Sequence, residues 1–109
     1  MILLLGKNSA VEEYAKEILK IDMDNDIVYY PDTTTHYTEL QKYVEIAKEE
    51  QPPVITTQNI EMIDVFLNSD LDLKVITVCY SDEKLKARIL SKEKALYVKN
   101  VLNLELRWF

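Results

Sequence analysis

Four short apolar runs alternate along this chain with segments of helical spacing, and that alternation constrains its fold more than any other feature. Met1 to Leu5 is a continuous apolar run closed by Gly6, the pattern of a strand buried on both faces. Ile27 to Tyr30, stopped by Pro31, and Val54 to Thr57, preceded by Pro52 and Pro53, read as the second and third strands. Lys74 to Tyr80 reads as the fourth.

The intervening segments carry helix signals. Ser9 and Glu12 have capping-box spacing, and Val11, Tyr14, Ala15, Ile18 and Leu19 follow at helical intervals. Thr38 and Gln41 repeat the box ahead of Leu40, Tyr43, Val44 and Ala47. Asn59 is placed to cap a third helix through Ile60, Ile63, Phe66 and Leu67.

Beyond the fourth strand the pattern changes. Leu85, Ala87 and Ile89 alternate with Lys84, Lys86 and Arg88, which predicts a half-exposed strand joined to the fourth by Ser81-Asp82-Glu83. Ser91 then caps a last helix through Ala95, Val98 and Leu102.

The predicted order is β-α-β-α-β-α-β-β-α over residues 1–109, as a single α/β domain. Strands alternating with helices imply a mostly parallel five-stranded sheet with helices on both faces and right-handed crossovers. The closing hairpin adds an antiparallel edge strand. Periodicity fits two strand orders, 2-3-1-4-5 and 2-1-3-4-5.

A chain of 109 residues suffices for one core without metals or disulfides. Its lone cysteine, Cys79, lies in an apolar run and is expected to be a small buried hydrophobe. The first five residues are too short for a secretory core and follow no basic region, so a cytoplasmic location without membrane contact is expected. The net charge of -6 is divided unevenly: residues from Ser81 onward carry seven basic and four acidic groups, the rest six and fifteen. An acidic body works against phosphate-backbone binding, whereas the basic end suits an acidic protein partner or another copy of the chain.

The motifs of common chemistries are incomplete. Asp22, Asp24 and Asp26 alternate as in a calcium loop, but Ile27 and Thr33 stand where glycine and glutamate are required. The cluster is expected to be a solvated turn. His36, the only histidine, cannot build an ordinary metal site unaided. With Asp32 it lies in a polar loop at a strand's carboxyl end, where open α/β sheets bind ligands. Lys7 and Ser9 occupy the corresponding place after the first strand. Phosphate loops need several glycines, and Gly6 is the only one here. Counting from Gly6, Val11, Glu12 and Glu13 hold the later Gly-Lys-Ser/Thr positions, where two carboxylates repel a triphosphate.

The second half of the chain nevertheless resembles ABC-type and RecF/SMC-like P-loop ATPases. Val54-Ile55-Thr56-Thr57-Gln58, followed by a helix, looks like their switch segment, which ends Thr-Thr-His-Ser. Ile27 to Asp32 occupies the place of the Walker B strand, and Thr35-His36 follows it as Thr-His often does in the family. Leu90 to Leu96 and Leu104 to Phe109 resemble the end of small prokaryotic ATPases of this group. Departures fall on catalytic positions: Gln58 replaces the switch histidine, Pro31 the magnesium-linked aspartate, and Asp32 stands in the glutamate's place. The resemblance implies the order 2-3-1-4-5 and a degenerate, truncated ATPase core.

Two functions are consistent with this. One is a non-catalytic interaction or regulatory module without ATP hydrolysis and without a cofactor, acting as a homo-oligomer or with a protein partner. Seven tyrosines and the terminal Trp108-Phe109 suit such an interface. The alternative is a small enzyme or nucleotide-binding protein using Lys7, Ser9, Asp32, His36 and Gln58.

Overall fold

The computed structural model describes residues 1–22, 26–29 and 37–101. Five strands are found: β1 (Ile2–Leu5), β2 (Ile27–Tyr29), β3 (Val54–Thr56), β4 (Lys74–Ser81) and β5 (Lys84–Leu90). The helices are α1 (Asn8–Tyr14), continued by a π-helical turn over Ala15–Leu19, then α2 (Tyr37–Glu50), α3 (Ile60–Leu67) and α4 (Lys92–Val101).

All five strands belong to one sheet in the order β2-β3-β1-β4-β5. The first four are parallel, with Ile2 opposite Val54 on one side of β1 and opposite Lys74 on the other. Only the β4–β5 hairpin is antiparallel, running from Val75 opposite Leu90 to Ser81 opposite Lys84. β1 is therefore central, which explains its unbroken apolar run: Leu3, Leu4 and Leu5 are all buried.

Alternate side chains along β1, β3 and β4 feed two cores. Leu3, Leu5, Ile55 and Val75 pack with Leu40 and Val44 of α2, Met62 and Phe66 of α3, and Ala95 of α4. Leu4, Val54, Ile76 and Val78 pack with Ala10, Val11, Tyr14 and Ala15 on the opposite face. Helices thus cover both faces, three against one. Each fully buried Leu, Val or Phe contributes roughly 1.5–3 kcal/mol.

Helix starts divide by cap chemistry. Asn59 Oδ1 accepts the Glu61 amide at 3.0 Å and opens α3, and Ser91 Oγ accepts the Lys94 amide at 3.1 Å and opens α4. The Ser9–Glu12 box does not form, because α1 starts at Asn8 with Lys7 in the cap position and no side-chain cap bond. Thr38 likewise lies inside α2, which begins at Tyr37.

Several turns use left-handed backbone at non-glycine residues. Lys20 ends the π turn at φ 53°, and Gln51 follows α2 at φ 46°, its amide donating to the Ala47 carbonyl at 2.9 Å. Asp82 and Glu83 form the two-residue hairpin turn at φ 53° and 62°. That turn is shorter than expected, since Ser81 still pairs within the ladder. Two consecutive left-handed residues match the twist of the flanking strands, which is why the tight turn forms without glycine. Cys79 is half-buried rather than fully buried.

Candidate ligand site at the strand ends

The connection from β1 to α1 is two residues long, Gly6 and Lys7. Gly6 has φ 150°, a backbone region that favours glycine, so the chain's single glycine sits at a sharp turn out of the central strand. Lys7 and Ser9 are exposed at the start of α1. Glu12 and Glu13 lie one turn further along the same helix, also exposed.

The end of β3 closes against this loop. The β1–β3 ladder has two register pairs, Ile2 with Val54 and Leu3 with Ile55. Beyond it, side chains complete the seam. Thr56 Oγ1 donates to the Leu4 carbonyl at 2.6 Å in a buried position, and Gln58 Nε2 donates to the Gly6 carbonyl. Gln58 Nε2 also lies 3.4 Å from Asn8 Oδ1. Thr57 Oγ1 accepts the Asn59 amide at 3.1 Å, so all four residues from Thr56 to Asn59 hold the β3–α3 corner. The structure therefore brings Lys7, Ser9 and Gln58 to one end of the sheet. Asp32 and His36, the other two candidates, lie outside the described residues, as do Asp24, Pro31 and the Trp108-Phe109 end.

Asn8 was not anticipated beside Gln58. Its position just after the Gly6 turn was the available signal, since residues there face the next strand's loop in open parallel sheets.

Two cavities among the described residues lie elsewhere. One of about 480 Å³ opens at the amino-terminal end of the strands, lined by Met1, Lys48, Pro53, Asp70, Leu71 and Asp72. A second, about 570 Å³, shares Asp70, Leu71 and Asp72 with it and extends to Ser91 and Lys92. Three of the charged groups lining them, Lys48, Asp70 and Lys92, have partners. Lys48 Nζ lies 2.8 Å from Asp70 and 3.3 Å from Glu45, and its hydrogen bonds to these carboxylates, Asp70 first, raise the Lys48 pKa above its ordinary value. The same bond lowers that of Asp70. Lys92 Nζ donates to the carbonyls of Ser69 and Leu71, fastening α4 to the loop after α3.

Asp22 and Asp26 are bonded to each other, the Asp26 amide donating to the Asp22 carbonyl at 2.8 Å and the Asp22 amide to Asp26 Oδ2 at 2.9 Å. Among the described residues no group of three His, Cys, Asp or Glu side chains is placed to hold a metal ion, and no helix is long and apolar enough to cross a membrane. On comparison with protein-family models, curated proteins and solved structures, the chain matches none.

Proposed function

We propose that this chain is a non-catalytic interaction or regulatory module on a degenerate scaffold resembling a P-loop ATPase core. The observation that carries this reading is the β1–α1 connection. A loop of two residues has too few backbone amides to wrap a phosphate, which such loops do with a run of glycines. Gln58 fills the adjacent space with a bond to the Gly6 carbonyl, a group that presents negative charge to any anion. Glu12 and Glu13 add repulsion at the position where the family places lysine and a hydroxyl.

The charge division supports an interaction role. A body of -9 beside an end of +3, from the counts of six and fifteen against seven and four, favours salt-sensitive pairing with an acidic partner or another copy. Calorimetric titration with magnesium-ATP tests the reading, and no saturable heat is expected at millimolar nucleotide. Micromolar, magnesium-dependent affinity would sink it.

The clustering of Lys7, Ser9 and Gln58 favours a second reading, a small nucleotide- or phosphate-binding protein using the strand ends. Saturable binding of a nucleotide that Lys7→Ala abolishes would select it.

A further inference from the structure

β5 is the antiparallel edge of the sheet, and its outer side carries the main-chain groups that β4 does not engage. Its two faces differ in chemistry. Residues directly opposite in an antiparallel pair share a face, so Leu85, Ala87 and Ile89 lie beside Tyr80, Val78 and Ile76. Lys84, Lys86 and Arg88 lie on the other face beside Ser81, Cys79 and Thr77. Helix α1 buries Ile76 and Val78 but leaves Ile89 59% and Tyr80 46% exposed, with Ala87 exposed beside them. β5 is thus a seven-residue edge with three cations along one face and, along the other, the exposed apolar side chains of Ala87 and Ile89.

We propose that β5 is a docking edge for an extended segment of a partner protein in which acidic residues alternate with small apolar ones. Pairing as a sixth strand would place the acidic side chains over Lys84, Lys86 and Arg88 and the apolar ones beside Ala87 and Ile89. Main-chain bonds would supply affinity, and the alternating side chains would supply register.

Charge selects this occupant over the others at hand. Antiparallel pairing of two copies about a two-fold axis through β5 sets three cations against three, and like charges directly opposite are destabilising. The chain's own alternating acidic stretch begins and ends at Asp22 and Asp26, which are hydrogen-bonded to each other. Residues 102–109 carry one glutamate and one arginine and so have no net side-chain charge. This inference rests on the interaction-module reading and names the partner's chemistry.

The test uses the full chain and a fluorescent seven-residue peptide alternating glutamate with valine, read by anisotropy at 50 and 500 mM salt. Saturable binding is expected, weakened about tenfold or more at the higher salt and by the Lys84→Glu/Lys86→Glu double variant. Amide exchange in the complex should show new protection along β5. A peptide of the same composition with its glutamates in one block should bind at least about tenfold more weakly, because only alternation matches the two faces. Thermal unfolding establishes that the variant is folded. Equal binding of the block peptide, protection confined to other elements, no saturation at millimolar peptide, or dimerisation of the chain through β5 would each overturn the proposal. Magnesium-ATP binding would overturn the module reading and leave a positive peptide result standing. A chain that binds neither would overturn the docking edge alone.

Discussion

Gln58 donates its side-chain amide to the carbonyl of Gly6, a residue 52 positions earlier in the chain, and so joins the turn after β1 to the corner after β3. The bond exists because β1 and β3 are neighbours in the sheet. It continues a seam that Thr56 begins two residues earlier with its bond to Leu4.

Gln58→Glu should be more damaging than Gln58→Ala. Alanine removes one donor, at about 1 kcal/mol, whereas glutamate sets a carboxylate against the Gly6 carbonyl. Urea unfolding of the two variants checks the ranking, and a glutamate variant as stable as wild type would show that the bond contributes nothing.

Thr77→Val should stabilise the protein. Thr77 is 2% exposed, and its hydroxyl has no hydrogen-bond partner among the described residues. A buried unpaired hydroxyl costs on the order of 1–3 kcal/mol, and valine has nearly the same shape. The expected gain is about 1 kcal/mol, measured as an upward shift of the denaturant midpoint at unchanged slope.

Glu83→Gly in the hairpin turn should also raise stability, by up to about 1 kcal/mol. Glu83 is held at φ 62°, where a Cβ is crowded, and glycine at this position of a two-residue turn relieves the strain. The opposing cost is glycine's greater freedom in the unfolded chain, so a Tm that falls would show entropy outweighing strain.

The Lys48–Asp70 pair should give Asp70→Asn a bounded pH dependence. Asp70 has a lowered pKa through its bond to Lys48, so its contribution is present above the ordinary carboxylate value of 3.8 and fades as pH falls through its folded value. Lys48 has a raised pKa, so its share is present below 10.5 and is lost as pH rises through its folded value. The Tm difference between wild type and variant should therefore be flat across neutral pH and vanish at both extremes. Both side chains reach solvent, so high salt should shrink it. A difference that persists at pH 2 would mean that the Asp70→Asn substitution acts through something other than lost charge.

The elements themselves were legible in the sequence, because each has a local cause. The run from Ile2 to Leu5 can only be a strand buried on both faces, and Asn59 and Ser91 mark helix starts through bonds reaching two or three residues along the chain. Local signals failed at two helix starts: Ser9 and Thr38 have the right spacing, yet α1 and α2 begin ahead of them. Alternation with lysine and arginine predicted one exposed face of β5, yet Ala87 and Ile89 on the other face are exposed as well, because α1 does not reach over them.

Strand order was another matter. Amphipathic helices fit a central β1 whether its second neighbour is β2 or β4, because periodicity records which face is buried and not what buries it. The structure sets β1 between β3 and β4: the β1–β3 contact, common to both orders, brings Gln58 onto Gly6, and the β1–β4 pairing is what sets Leu5 opposite Thr77, whose hydroxyl has no partner among the described residues. Residues far apart in sequence meet at these points through packing of the whole sheet, a non-local energy that no window of the sequence contains.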